Sequence, residues 1–347
     1  MTATWLLPGL LVLGLLVAAA TSWLLARLVA GSPQAPLDRP GPRSSHKAPT
    51  PRGGGVGIVL VGLSAIPALG WAGVWPTPWP PVLLGLALVA AIGLLDDWQP
   101  RPAWLRLLVH AGAAMLLVAA VLAAAPAPMV SPILVLTAVL ALVWSTNLHN
   151  FMDGINGLLA LQGVWYGLAM AALLHLGGAY GLALFALLLA AACLGFLPMN
   201  WPRARVFLGD GAAGFLGMAF ALLALAGIAG GVLDVPQALV LASAFLVDSG
   251  ATLVLRGVRG ERIWQAHREH LYQRLVRNGR GHGTVSAWYM LWNLLIALPA
   301  LYLLAHREPV PERWMIAVLV LVLALSVWLL ARLRPGLAGD AGTRGAA

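Results

Sequence analysis

Asn147-Leu-His-Asn150-Phe-Met-Asp153-Gly-Ile-Asn156-Gly157 is a dense polar run set between two long apolar stretches. Its reading decides the rest of the chain. If the flanking stretches cross a bilayer, three amides and a carboxylate lie at the membrane boundary. Polar groups there are costly unless they bind something. Two further acidic motifs, Asp96-Asp97 and Gly209-Asp210-Gly211, occupy the same kind of position.

The flanking stretches belong to a repeating pattern. Of the 347 residues, 61% are hydrophobic and 10% charged, which excludes an ordinary soluble domain. Eleven apolar runs are long enough to span, at about 5–29, 56–75, 80–95, 105–125, 131–147, 157–175, 180–198, 212–229, 232–254, 285–305 and 314–333. The fold class is therefore all-α, a polytopic integral membrane protein of about eleven transmembrane helices. Residues 1–334 read as a single membrane domain, and the Gly- and Ala-rich tail 335–347 as disordered. The first run has no preceding basic residue and exceeds a signal peptide in length, so it reads as a retained span. Alternating sides along eleven spans puts 19 of the 21 Lys and Arg on one side, leaving only Arg307 and Arg313 on the other. The positive-inside rule makes the rich side cytoplasmic, with the N-terminus outside and the C-terminus inside. The net charge of +9 fits loops facing anionic headgroups and requires no nucleic acid. The lone Cys193 lies in an apolar run and excludes an intrachain disulfide.

The inward loops carry the candidate chemistry. Adjacent carboxylates such as Asp96 and Asp97 repel, and a shared cation or a paired base is their natural use. A hydrated helix end is the plainer alternative. Asn150 and Asp153, three apart, share a helical face and can turn oxygens toward one ion, with Asn156 partly off that face. Capping of the following span would explain one of these residues. Asp210, between two glycines at the start of a span, reads as a magnesium ligand or as an N-cap. Arg43-Ser-Ser-His-Lys47-Ala-Pro-Thr-Pro-Arg52-Gly-Gly-Gly55 combines cations and mobile glycines as a phosphate-facing loop would. His267-Arg268-Glu-His270-Leu-Tyr-Gln-Arg274 sits in the longest loop, where histidines and arginines can grip a diphosphate. It reads equally as an amphipathic surface helix with Ile263, Leu271, Leu275 and Val276 on its apolar stripe. Asp248, inside a span, is either a functional carboxylate or the partner of an arginine such as Arg256.

In this order the motifs resemble the polyprenyl-phosphate N-acetylhexosamine-1-phosphate transferase superfamily, glycosyltransferase family 4, over about 38–282. The resemblance implies transfer of a sugar-1-phosphate from a UDP-N-acetylhexosamine to undecaprenyl phosphate, releasing UMP. It implies magnesium, with manganese as a substitute. It assigns Asp210, Asn150 and Asp153 to the metal, and Asp96 and Asp97 to catalysis as base or nucleophile. Asn156 falls where relatives contact uracil, and Arg106 where some bind phosphate with a lysine. Lys47 and Arg52 belong to the matching first loop, and Arg268 and His270 to the last. Many relatives carry a His-x-His-His or triple-histidine element there, whereas here only His270 remains in His270-Leu-Tyr-Gln273. That departure is similar to the branch that starts O-antigen and other surface glycans, and argues against the muropeptide enzyme. A water-soluble and a lipid substrate can meet at the cytoplasmic face, so the expected location is the bacterial inner membrane with the active site on that face, and a homodimer is one candidate assembly.

Three alternatives carry different expectations. The same reaction in common-antigen, teichoic-acid or peptidoglycan-precursor synthesis would change only the sugar or pathway. A transporter predicts polar groups at mid-span and on both faces, and a non-catalytic scaffold leaves three acidic motifs on one side unexplained.

Overall fold

The computed structural model describes residues 6–40, 48–124, 131–262, 267–306 and 310–334. Lys47 and Ile263 lie outside the described residues, as does the tail 335–347.

The apolar runs fold into helices. They are α1 (Leu6–Gly31), α2 (Val56–Trp71), α3 (Trp79–Trp98), α4 (Ala103–Ala124), α5 (Pro132–Met152), α6 (Leu158–Leu176), α7 (Tyr180–Asn200), α8 (Asp210–Ala229) and α9 (Val235–Val258). A short α10 (Leu271–Arg277) follows. Next come α11 (His282–Trp292), a π-helical turn (Asn293–Ala297) and α12 (Leu298–His306), which together make one span, and then α13 (Val310–Leu333). Among the described residues, ten helical segments are long and apolar enough to cross a membrane.

The eleventh expected span, 56–75, is shorter than its sequence suggested. The helix α2 holds 16 residues, about 24 Å at the helical rise, against a hydrocarbon core of ~30 Å. Gly73 takes a φ of 70°, and the N–H groups of Val74 and Trp75 turn back to Leu69 O, which ends the helix before the apolar run does. Conversely, α5 runs on to Met152, so Asn147 and Asn150 belong to its last turns. The expected amphipathic helix in the last loop is described as helix only over Leu271–Arg277.

The chain divides into two compact units, α1–α8 and α9–α13. In the first, α6 and α8 are the most buried spans and α1 the least. Helix α7 packs on α1 and α6, and α8 packs on α3 and α5. In the second, α9 packs on α13. Leu16 and Val17 of α1, like Val318 and Leu319 of α13, stay exposed, as residues facing lipid must. The only strands among the described residues are an antiparallel pair, β1 (Leu37–Asp38) and β2 (Thr50–Pro51), with Leu37 opposite Pro51.

Candidate active site

The site in the first unit starts from a helix crossing. Gly93 of α3 meets the first residues of α8 backbone to backbone: a Cβ at Gly93 would lie 2.6 Å from Asp210 O and from Gly211 N. Only glycine permits that approach. The crossing sets the acidic end of α3 against the N-terminus of α8. There Asp97 accepts hydrogen bonds from the N–H of Asp210 (2.9 Å) and of Gly211 (3.4 Å). Gly209, the N-cap residue, offers no side chain, so a carboxylate from another helix satisfies the free N–H groups of α8. Gly209 itself has a φ of 91°, and a Cβ on it would meet Asp97 Oδ2 at 2.5 Å.

The glycine loop before α2 is laced to the residues before α8. Phe207 N–H donates to Pro51 O (2.8 Å), Gly54 N–H to Phe207 O (2.9 Å) and Gly55 N–H to Leu208 O (2.9 Å). This holds Arg52 over the carboxylates. Its Nε lies 3.0 Å from Asp97 Oδ1, and its NH2 lies 2.9 Å from Asp210 Oδ1. Burial opposes the guanidinium charge, but Asp210 and Asp97 outweigh it and raise the Arg52 pKa. From α4, Arg106 NH1 reaches Asp96 Oδ2 (2.5 Å) and Asp210 Oδ2 (3.3 Å). Asp96 also accepts from Arg101 N–H (2.5 Å).

Asp153, at the end of α5, lies within electrostatic reach of Asp210, Arg52 and Asp97. It ends α5 as the C-cap residue rather than starting α6, whose N-cap is Gly157 with a φ of 76°. Its carboxyl has no hydrogen bond or ion pair among the described residues. Burial, then the charge of Asp210, pushes its pKa well above the carboxylate range, partly offset by Arg52. The side-chain oxygen of Asn150 makes no hydrogen bond among the described residues. Asn156 Nδ2 donates to Pro202 O (3.2 Å).

One organising residue escaped the sequence reading. Asn200, buried at the end of α7, accepts from Gly157 N–H (2.6 Å) and donates to Val206 O (2.9 Å). It ties the turn after Asp153 to the segment leading into Asp210. An amide closing an apolar run was the signal available.

The cluster gathers Asp96, Asp97, Asp153 and Asp210 around Arg52 and Arg106. Four carboxyls share two guanidiniums. Its donors are hard oxygens, which suit magnesium. Among the described residues no group of three or more His, Cys, Asp or Glu side chains is placed to hold a metal ion by itself.

Arg268 and His270 belong to the second unit. Arg268 is half-buried and has no ion pair among the described residues. His270 is buried, stacked on Tyr272 (5.9 Å between centroids) and beside His267 (4.7 Å). Burial lowers the His270 pKa, partly opposed by Asp248; burial, then His270, lowers that of His267 to about 4. Asp248 does not pair with Arg256. It accepts from Leu271 N–H (2.6 Å), Tyr272 N–H (3.3 Å), Tyr289 OH (2.6 Å) and Trp328 Nε1 (3.0 Å). Arg256 binds Glu261 (2.8 Å) and Glu269 instead.

The family profile described as glycosyl transferase family 4 matches residues 79–228, from α3 to the end of α8. A decaprenyl-phosphate N-acetylglucosaminephosphotransferase of Mycobacterium tuberculosis is 33% identical over 298 residues, covering 75% of this chain and 74% of the relative. A probable undecaprenyl-phosphate N-acetylglucosaminyl 1-phosphate transferase of Bacillus subtilis is 27% identical over 258 residues, 71% of each chain. A phospho-N-acetylmuramoyl-pentapeptide-transferase of Heliobacterium modesticaldum is 44% identical, over only 88 residues, 25% of this chain and 27% of the relative.

Proposed function

Because the chain belongs to glycosyl transferase family 4, we propose that it transfers N-acetylhexosamine-1-phosphate from a UDP-sugar to undecaprenyl phosphate. The products are an undecaprenyl-diphosphate sugar and UMP. The observation that carries this reading is the cluster of four carboxyls and two guanidiniums at the ends of α3, α5 and α8. Two phosphate-bearing substrates repel each other, and a site for joining them needs cations in fixed positions.

The residues divide the work. Arg52 and Arg106 sit where they can pass from carboxylate to phosphate oxygens. Asp97 is fully engaged by Arg52 and the α8 N–H groups, with its side chain 1% exposed, so it acts as a positioning residue for Asp210. Asp96, held by Arg106 and Arg101 N–H, is the more open member of the pair and the better base or nucleophile toward the lipid phosphate. Asp210 and Asp153, with Asn150 three residues before Asp153, would hold magnesium. When bound, the ion neutralises phosphate charge and orients the transferring phosphoryl group. Asn156 is assigned to the uracil and Lys47, Arg268 and His270 to the substrate phosphates and sugar.

N-acetylglucosamine is the first donor to try, because the two relatives matched over roughly three quarters of the chain are named for it. The pathway proposed is initiation of O-antigen or another envelope glycan, with chemistry on the arginine-rich, cytoplasmic face of the bacterial inner membrane. The test is transfer of labelled sugar phosphate from a panel of UDP-N-acetylhexosamines to undecaprenyl phosphate by purified protein. Magnesium-dependent lipid product with UMP release is expected. Absence of product from every donor, with folded protein and authentic lipid, would overturn the reading.

A further inference from the structure

The second unit contains a cavity of about 650 Å³ between α9, α10, α11 and α13. Its wall is aromatic, built by Trp288, Trp292 and Trp328. Two of these rings have their polar atom occupied from behind. Trp292 Nε1–H donates to Ser243 Oγ (3.0 Å), and Trp328 Nε1–H to Asp248 Oδ1 (3.0 Å). What they offer a ligand is ring carbon. Asp248 also lines the cavity, but its oxygens already take the backbone, Tyr289 and Trp328 donors. The cavity opens outward, since Trp288 is 42% and Leu330 65% exposed.

One end of the cavity differs from the rest. Arg280 and Arg334 line it, one just before α11 begins at His282 and the other just after α13 ends at Leu333. Neither has a carboxylate partner among the described residues. The Arg280 guanidinium carbon lies 5.9 Å from the Trp288 ring centroid. Two spans end there, so the arginines stand at headgroup depth. The ten-residue step from His282 to Trp292 carries the aromatic wall about 15 Å into the span.

We propose that this cavity binds an anionic phospholipid, its phosphodiester on Arg280 and Arg334 and one acyl chain along Trp288, Trp292 and Trp328. A polar metabolite would need several donors or acceptors aimed into the body of the cavity, and Asp248, Tyr289, Trp292 and Trp328 are already hydrogen-bonded, which leaves only the Asn278 amide and the Trp288 indole. An apolar helix would leave two guanidiniums without an anion. A negatively charged lipid meets both ends, and the cytoplasmic leaflet supplies it. The site stands on the second unit alone and does not depend on the reaction proposed above.

The test is native mass spectrometry of the full chain, released from mixed micelles holding equal phosphatidylglycerol and phosphatidylcholine. Wild type is expected to retain one phosphatidylglycerol in preference to phosphatidylcholine. The Arg280→Gln/Arg334→Gln variant is expected to lose that preference, by about fivefold for each arginine removed. Both positions are exposed, so folding is preserved. Trp288→Ala, which removes wall but no charge, is expected to weaken retention of both lipids. Equal phosphatidylglycerol retention in wild type and the double arginine variant would overturn the proposal. So would displacement by one equivalent of undecaprenyl phosphate, which would give the cavity to the acceptor, or a lipid-free dimer, which would give it to a second copy.

Discussion

Asp210 and Asp248 look alike in the sequence: each is an acidic residue in or beside an apolar span, with arginines nearby in the chain. Their surroundings differ in kind. Asp248 is saturated by neutral donors, two backbone N–H groups, a phenol and an indole. The cations that Asp210 meets are both shared: Arg52 is divided between it and Asp97, and Arg106 between it and Asp96, whose carboxyl also hydrogen-bonds Asp210. A third neighbour, Asp153, has no hydrogen bond or ion pair of its own among the described residues. A satisfied carboxylate holds a fold together, whereas one short of positive charge awaits a ligand. Burial and hydrophobic context alone do not separate the two cases.

The largest effect should come from exchanging the two carboxylates for amides. Asp210→Asn is expected to lower the transfer rate by about a thousandfold while leaving the unfolding temperature near that of wild type. Asp248→Asn should do the reverse. Its amide hydrogens would face Leu271 N–H and the Trp328 indole, costing roughly 2–3 kcal/mol of stability, with the rate per folded molecule nearly unchanged. Transfer assays paired with thermal unfolding in detergent distinguish the two, and matching profiles would break the comparison.

Sequence reading captured the spans because hydropathy is a local property, and the acidic motifs because polar residues are conspicuous in apolar surroundings. The helix ends were harder. The run at 56–75 looked like a full span, but the Gly73 turn cuts the helix at Trp71. Asp153 looked like a helical partner of Asn150 and proved to be the residue that stops α5. The lacing of residues 51–55 to 207–208 is a contact about 150 positions apart in the chain, and no local pattern encodes it. Asp97 capping α8 and Asn200 bracketing Gly157 and Val206 are long-range in the same sense. The glycines that allow the crossing, Gly93 and Gly211, were visible but mute until their neighbours were known.

Smaller effects sharpen the same contrast. Arg106→Gln removes a cation shared by Asp96 and Asp210. It should raise the KM for the phosphate-bearing substrates about tenfold, more than it lowers kcat. Arg52→Lys keeps the charge but cannot span Asp97 and Asp210 at once, so an intermediate loss is expected.

The second unit should show a pH signature of its own. His267 Nδ1 accepts from Glu269 N–H (3.3 Å), so protonation breaks that bond. With the folded pKa lowered to about 4 against an ordinary value of about 6.5, the unfolded chain takes up the proton first. The stability contribution is then complete above about pH 6.5 and is lost as pH falls toward 4. His267→Gln should flatten the unfolding temperature over that range by a few degrees. An unchanged pH profile would count against a neutral, half-buried His267.

Binding of manganese, read by electron paramagnetic resonance in the presence of UDP-N-acetylglucosamine, tests the contrast between the two carboxylates most directly. One bound ion is expected in wild type and in Asp248→Asn, and none at the same concentration in Asp210→Asn. Equal binding by all three proteins would contradict that contrast.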